Sequence, residues 1–274
     1  MRQPAAVLSV APLVTPPDRN LVRFEARPAA PLRLFCFPWS GASASVYREL
    51  ARSMPDEVET VAVQLPGRGS RRDESAFDRL APLARQVVRA LDVELRDRPG
   101  RFVLFGHSFG ALLAYEVARQ LQASGRHPEL VVLSGSRAPA RAPRVFLHPM
   151  GDAELLAALD QMGGTKMDRL RDPAFLDYFL PLVRTDLTAC ETFQPATGTL
   201  HCPVSVWGGS DDWYARPEDI TRWRHFAGPA FRSRIFDGGH FFTSDEGVVR
   251  EAMLDDLRWS RRYQDHAVTY RRAA

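Results

Sequence analysis

A serine between two glycines is the first group in this sequence that could carry out chemistry. It lies in the pentapeptide GHSFG, residues 106–110, after the apolar run 102–105 and before an Ala/Leu-rich stretch. Glycines on both sides let the chain turn sharply from a strand into a helix, and such a turn presents the serine hydroxyl beside the free amide N–H groups of the helix. An ordinary turn serine is the alternative, but strand, turn and helix together favour Ser108 as a nucleophile.

A serine hydroxyl is a weak nucleophile near neutral pH, so it needs a general base. Among the 7 histidines, His240 has the most suitable surroundings, because Gly238 and Gly239 let the chain turn after the predicted strand that ends at Phe236. His107 lies inside the serine motif, where its position predicts a side chain that points away from the hydroxyl. We therefore expect His240 to be the base, and a buried structural histidine is the alternative.

An acid must orient this base, and the segment VSVWGGSDDWY supplies two adjacent candidates after a predicted strand. Asp212 completes a G-x-x-D loop counted from Gly209, and Asp211 completes the same loop counted from Gly208. We favour Asp212 and expect the other aspartate to be a loop acceptor or a helix-cap residue. The chain order serine, aspartate, histidine is that of the α/β-hydrolase fold.

Two backbone amides must stabilise the oxyanion that forms when a serine attacks a carbonyl carbon. The first is the N–H of Phe109, directly after the serine. The second should come from the loop within FCFPWSGASASVY, where an apolar strand ends at Pro38 and small residues lead into a helix. We expect the N–H of Trp39 to be this donor, with that of Ser40 as the alternative; ordinary capping of the helix is compatible with both.

The elements that must position these residues follow an alternating pattern of short apolar runs and longer helical stretches, which predicts an α/β fold with a mostly parallel central sheet flanked by helices. Several runs are apolar at consecutive positions, as expected for strands buried on both faces. The clearest helix spans 78–95 and is stopped by Pro99 and Gly100. The candidate strands are residues 32–37, 58–64, 102–105, 130–134, 204–207 and 232–236.

The connection 137–203 is far longer than an ordinary crossover between two strands. Helical patches at 152–162 and 173–193 predict a helical lid inserted over the sheet, and a surface subdomain without a functional role is the alternative. The hydrolase core is then expected at 21–136 and 204–260. Residues 1–20 are expected to be a disordered extension and residues 261–274 a basic C-terminal tail.

Composition excludes several function classes. A chain of 274 residues with 45% hydrophobic and 25% charged residues is long enough for one substantial core, and its net charge of +3 is spread along the chain, which argues against nucleic-acid binding. The 3 cysteines form no CxxC pair, so we expect neither a disulfide framework nor a zinc site. The sequence contains no secretory signal and no run of about eighteen apolar residues that could span a membrane. We therefore expect a cytoplasmic protein that binds no membrane. We also expect a monomer.

Six segments together carry a more specific resemblance: CFPWSGASASVYREL, VQLPGRGSR, FVLFGHSFGALLAYEVARQL, LDQMGGT, FLPLVRTDLTACETF and FDGGHFF. In this order, from about Leu32 to Ala252, the chain resembles the type II thioesterases of polyketide and nonribosomal peptide biosynthesis. The resemblance implies a stand-alone α/β hydrolase that removes unwanted acyl groups from the phosphopantetheine arm of acyl or peptidyl carrier proteins. It also implies Ser108 as the acylated residue, Asp212 and His240 as its partners, the insertion as the wall of the acyl chamber, and no metal or dissociable cofactor.

The sequence departs from the pattern of these thioesterases in two loops. Trp39-Ser40-Gly41-Ala42 replaces a more usual aromatic-Ala-Gly-Gly run, so the ring of Trp39 could narrow the chamber, and the proline that often follows the catalytic aspartate is absent. Because carrier proteins are typically acidic, Arg137, Arg141 and Arg144 near the lid are candidates for receiving one. The competing functions are a general carboxylesterase or lipase, a chain-releasing thioesterase and a binding protein without activity. The initial methionine and the lack of a recognisable carrier or linker segment favour a stand-alone enzyme.

Overall fold

One mixed sheet forms the centre of the fold in the computed structural model, which describes residues 19–139, 142–164 and 171–273, with side chains up to residue 264. In these residues seven strands have the order β1-β3-β2-β4-β5-β6-β7, and β1 alone among them is antiparallel to its neighbour. The strands are β1 (Leu21–Val22), β2 (Leu32–Phe37), β3 (Val58–Val63), β4 (Arg101–His107), β5 (Leu130–Ser134), β6 (Val204–Gly209) and β7 (Phe231–Phe236).

The predicted α/β-hydrolase fold is confirmed, including all six strands that the sequence predicts. Strands β2, β3, β5 and β6 are buried at every position, and β4 is buried at all but its first, because helices cover both faces of the sheet. Two-sided burial favours apolar residues at consecutive positions, which explains why these strands were recognisable from composition alone. Strand β1 was not predicted, since two residues at a sheet edge carry no such pattern.

Helices pack against the two faces of the sheet around separate apolar cores. On one face, α2 (Leu80–Asp97) and α3 (Phe109–Ala123) bury their apolar sides. On the other face, α1 (Arg48–Ser53) and α7 (Glu246–Ala273) pack together. Helix α6 (Pro217–Ile220) and short 3-10 turns at Ala44–Tyr47, Gly69–Arg71, Thr221–Phe226 and Phe242–Ser244 complete the connections.

The insertion between β5 and β6 contains two long helices with a small apolar core of their own. They are α4 (Asp152–Met162) and α5 (Pro173–Glu191), and α5 begins with Pro173 after Asp172, whose side chain accepts the N–H of Ala174 at 3.1 Å. Their shared core consists of Leu147, Leu155, Phe179, Leu180, Val183 and Leu187. These helices therefore form a packed layer over the carboxyl ends of the strands.

The two chain ends differ in how much the structure describes. Helix α7 continues without a break to Ala273, so the segment predicted as a separate basic tail, 261–274, is helical up to that residue. At the other end the predicted extension 1–20 lies outside the described residues except for its last two, and the carbonyl of Asn20 accepts the N–H of Gln64 at 2.7 Å. In the part of the chain that the structure describes, no helix combines the length and apolar character that a membrane span requires.

Candidate active site

The turn between β4 and α3 holds Ser108 in a strained conformation. Its backbone has φ +56° and ψ −119°, and it is the single non-glycine residue with positive φ among those described. A Cβ atom on Gly106 would lie 2.0 Å from the carbonyl oxygen of Gly110, and one on Gly110 would lie 2.1 Å from that of Phe37. Both glycines are therefore required for the turn to close against itself and against the end of β2.

Ser108, His240 and Asp212 form a continuous chain of hydrogen bonds. The hydroxyl of Ser108 lies 2.9 Å from Nε2 of His240, and Nδ1 of the same ring lies 2.8 Å from Oδ2 of Asp212. Both His240 and Asp212 are buried at 2% exposure. The structure thus brings together the three residues that the sequence singled out, in the geometry by which an acid orients a base beside a nucleophile.

Asp212 and Asp211, which the sequence could not separate with certainty, have different surroundings. The second carboxylate oxygen of Asp212 accepts the backbone N–H groups of Tyr214 and Ala215, each at 2.9 Å. Asp211 is exposed and accepts the hydroxyl of Ser210 at 2.9 Å. Asp212 is therefore the aspartate beside the histidine, and its two amide bonds fix the direction of its carboxylate.

Free backbone amides lie next to the serine. Among the described residues no acceptor is bonded to the N–H of Phe109 at the start of α3, nor to that of Trp39 or Ser40 after β2. The close approach of Gly110 to the carbonyl of Phe37 brings the end of β2 beside the first turn of α3. Phe109 and the Trp39–Ser40 loop are thus placed to supply the two donors of an oxyanion hole, as the sequence predicts.

His107 packs against the ring of the catalytic base. Its ring is buried with its centroid 5.2 Å from that of His240, and its Nδ1 lies 3.0 Å from the hydroxyl of Ser134. Burial, and secondarily the charge of His240, hold the pKa of His107 well below its usual range. His107 therefore packs behind the catalytic base as a neutral ring, a contact between two distant chain segments that no sequence motif signals.

The lid helices border a small cavity at Ser108. Its volume is about 30 Å³, room for roughly two water molecules. The residues around it come from the oxyanion loop, the serine turn, both lid helices and the loops of β6 and β7: Trp39, Ser40, Ser108, Leu159, Met162, Gly163, Phe179, Leu187, Tyr214, His240 and Phe241. The insertion thus forms part of the wall of the site and places apolar side chains beside the partly exposed Ser108.

Of the three arginines proposed to receive a carrier protein, two lie in the described residues. Arg144 is exposed and forms ion pairs with Glu218 at 3.1 Å and Asp219 at 3.5 Å, whereas Arg137 is half-buried. Arg141 lies outside the described residues. No group of three or more potential metal ligands occurs in the described part of the chain.

A mostly parallel sheet that presents a serine on a strained turn, with a histidine and an aspartate bonded behind it, defines a serine hydrolase of the α/β-hydrolase fold. Comparison with known families then identifies the chain: the thioesterase domain family matches residues 32–257, and the chain belongs to that family. It is accordingly a serine hydrolase that acts on thioesters.

Individual relatives narrow the branch of the family. The chain is 37% identical over 227 residues to the thioesterase PikA5 of Streptomyces venezuelae. The aligned region covers 82% of this chain and 80% of PikA5. The structure of RedJ, a thioesterase from the prodiginine pathway of Streptomyces coelicolor, matches with TM-score 0.78 and 36% identity over 90% of this chain and 96% of RedJ. BorB, a type II thioesterase from the borrelidin cluster, matches with TM-score 0.75 and 30% identity over 89% of this chain and 98% of BorB. The resemblance to type II thioesterases found in the sequence is thus confirmed.

Proposed function

We propose that this thioesterase hydrolyses acyl groups from the phosphopantetheine thiol of acyl or peptidyl carrier proteins and thereby removes aberrant acyl units during polyketide or nonribosomal peptide synthesis. The observation that carries the proposal is the bonded array of Ser108, His240 and Asp212, which opens onto a small apolar cavity beneath the lid. The thioesterase family indicates that a thioester bond is broken. The prodiginine pathway of RedJ and the borrelidin cluster of BorB suggest that the acyl group is attached to a carrier protein.

In the acylation step, Nε2 of His240 takes the proton of Ser108 as Oγ attacks the thioester carbonyl carbon. Asp212 stabilises the imidazolium through its bond to Nδ1. The amides of Phe109 and Trp39, with that of Ser40 as the alternative second donor, stabilise the negative oxygen of the tetrahedral intermediate. The carbon–sulfur bond then breaks, and the imidazolium returns its proton to the departing thiolate.

In the second step, His240 takes a proton from a water molecule, whose oxygen attacks the acyl-Ser108 carbonyl. The intermediate collapses to a free carboxylic acid and the serine hydroxyl, which recovers its proton from the imidazolium. Every group in both steps belongs to this chain, to the thioester or to water. The pantetheine arm belongs to the partner.

The chamber size supports an editing role. The cavity beside Ser108 is about 30 Å³, and apolar side chains from both lid helices line it, so it has little free space for a full-length polyketide or peptide. Short acyl groups stranded on a carrier block chain extension, and we infer that an enzyme with this chamber removes them in preference to long intermediates.

Mass spectrometry of carrier proteins loaded with acetyl, propionyl, hexanoyl or longer acyl groups tests the proposal. We expect faster release of the short groups, a product consisting of free acid and intact holo-carrier, and no release by Ser108→Ala. A simple oxygen ester such as an aryl acetate, measured in parallel, separates this function from that of a general esterase. Preference for the aryl ester, or for full-length chains, would overturn the proposal.

A further inference from the structure

A buried carboxylate on the lid holds the oxyanion loop. Asp186 lies on α5 at 1% exposure, and its Oδ2 accepts the backbone N–H of Gly41 at 2.7 Å. The same carboxylate receives two bonds from Arg68, at 2.5 Å to Oδ2 and 2.8 Å to Oδ1. Arg68 follows β3 and is 2% exposed, so three separate segments of the chain meet at one buried ion pair.

The loop after β3 is in turn fixed to the oxyanion loop by a second path. The side chain of Gln64 accepts the N–H of Ala44 at 3.2 Å and donates to the carbonyl of Arg68 at 2.9 Å. The guanidinium of Arg68 also donates to the carbonyl of Pro66 at 3.1 Å. Arg68 therefore cannot shift to follow the lid without breaking bonds on the sheet side.

Gly41 is built into the contact with the lid. Its φ is +74°, and a Cβ atom there would lie 2.5 Å from Val183 and 2.6 Å from Phe179. Phe179, Val183 and Asp186 have helical spacing and lie on one face of α5. The side chains of Phe179 and Val183 thus pack against Gly41, and the carboxylate of Asp186 accepts the N–H of the same residue.

The position of Gly41 determines where the oxyanion donors lie. The N–H of Ala42 donates to the carbonyl of Trp39 at 3.0 Å, which closes a turn over 39–42. The amides of Trp39 and Ser40 belong to this turn and lack acceptors among the described residues. A shift of the Gly41 amide therefore moves both candidate donors relative to Ser108.

We propose that Asp186 is a positioning residue, which together with Arg68 sets the oxyanion hole through the amide of Gly41. The inference rests on the proposed hydrolysis, because it assigns the geometry of that same site. It makes the lid helix part of the catalytic scaffold as well as a cover for the acyl chamber. Removing one oxyanion donor from a serine hydrolase costs about 100- to 1000-fold in kcat, so a displaced donor has a large measurable effect.

The test uses Asp186→Asn, a short N-acetylcysteamine thioester and a short trifluoromethyl ketone. The ketone adds the serine oxygen and forms a stable hemiketal oxyanion, so its affinity measures the oxyanion hole in the active molecules. We expect kcat to fall by about 10-fold or more, with KM close to wild type, since the donors act mainly on the charge of the transition state. Affinity for the ketone should fall by a similar factor.

The matched control is Glu59→Gln. Glu59 is a carboxylate at 1% exposure that also accepts a backbone N–H, from Arg27 at 3.0 Å, and an arginine, Arg98 at 2.8 Å, but it lies at the opposite end of the sheet from the serine. We expect this variant to lose thermal stability while its kcat and ketone affinity stay at the wild-type values. If Asp186→Asn also loses only stability, the positioning role is wrong.

The double variant Arg68→Met, Asp186→Leu separates the ion pair from the amide bond. Replacing both members of a buried ion pair by apolar residues often restores stability, but leucine cannot accept the N–H of Gly41. We expect recovery of the melting temperature with kcat and ketone affinity still reduced, and recovery of all three would overturn the inference. If the wild-type enzyme itself did not hydrolyse the thioester, the proposed function would be contradicted instead. Failure of the proposed function is therefore distinguishable from failure of the positioning role.

Discussion

The residue Trp39 separates two cavities. Its side chain lines both the cavity at Ser108, about 30 Å³, and a second cavity of about 140 Å³ on the far side, near Val46 and Tyr47. The ring is held by edge contacts to Tyr47, His107 and Phe241, with centroid distances of 6.3, 6.0 and 5.2 Å. Trp39, which occupies the aromatic position of the usual loop pattern, therefore limits the length of the chamber.

Trp39→Ala should join the two cavities and shift the enzyme toward longer acyl groups, while the backbone amide remains. Each buried methylene contributes about 0.8 kcal/mol, so the ratio of kcat/KM for hexanoyl over acetyl N-acetylcysteamine thioesters should rise by roughly 10-fold or more. Val46→Ala is the control, because it enlarges the second cavity without opening it. An unchanged ratio in Trp39→Ala would show that another part of the wall limits chain length.

His107 gives the fold a dependence on pH. The folded protein holds the pKa of this ring well below its usual range, first through burial and then through the charge of His240. Below about pH 6.5 this histidine therefore binds a proton in the unfolded chain but not in the folded protein. As a result the free energy of unfolding falls as the pH drops below about 6.5, by up to about 1.4 kcal/mol per pH unit.

His107→Gln should reduce this loss of stability in urea unfolding between about pH 7 and about pH 5. The exposed His225 provides the comparison, since His225→Gln should follow the wild-type profile. Equal slopes for wild type and His107→Gln would mean that the buried ring does not control acid unfolding.

At the scale of elements, the junction of β4 and α3 tolerates no side chain at its glycines. In Gly110→Ala the new methyl group would meet the carbonyl oxygens of Phe37 at 2.1 Å and Pro38 at 2.7 Å. Because both obstacles are backbone, we expect a loss of about 3 kcal/mol or more in unfolding free energy, or failure to fold. Fluorophosphonate labelling of Ser108 should be lost with it.

Gly151→Ala tests whether glycine loss by itself has this effect. A Cβ atom at residue 151 has its nearest neighbour at 4.0 Å, in Glu154, and the residue has φ −58° before helix α4. We expect wild-type labelling and nearly wild-type stability. Normal labelling in Gly110→Ala would contradict the steric account of the turn.

Most elements were predictable from the sequence because their signals are local. Strands β2 and β5 and helix α4 begin and end where their apolar patterns predict. The last helix was not predicted, and residues 261–274 were expected to be a basic tail, because this end of the sequence is polar and arginine-rich and carries no apolar stripe. A pattern of burial identifies an element only where the element packs against a core.

For the molecule as a whole, the proposed electrostatic attraction to an acidic carrier protein predicts a salt dependence. The chain has a net charge of +3, and the screening length falls from about 10 Å at about 0.1 M salt to about 3 Å at 1 M. We expect kcat/KM for an acyl-carrier substrate to fall over this range, while that for an N-acetylcysteamine thioester stays constant. Parallel declines would point to the enzyme itself, and two constant values would argue against charge-guided docking.

Features that depend on neighbouring residues could be predicted from the sequence. The serine turn needs its two glycines within a pentapeptide, and the order of serine, aspartate and histidine follows from the order of the strands that carry them. The free amide of Phe109 follows from the start of a helix. The resemblance to thioesterases could be found in the same way, because it consists of short segments in a fixed order.

The choice between Asp211 and Asp212 required the folded structure, because adjacent residues with equal spacing differ only in the direction of their side chains. It also revealed His107 behind His240 and the bonds of Asp186, whose partners Arg68 and Gly41 lie 118 and 145 positions away. A buried carboxylate is stable only where the fold supplies its donors. The sequence shows the carboxylate but not the donors, so the link between the lid and the oxyanion loop emerges only when the chain is folded.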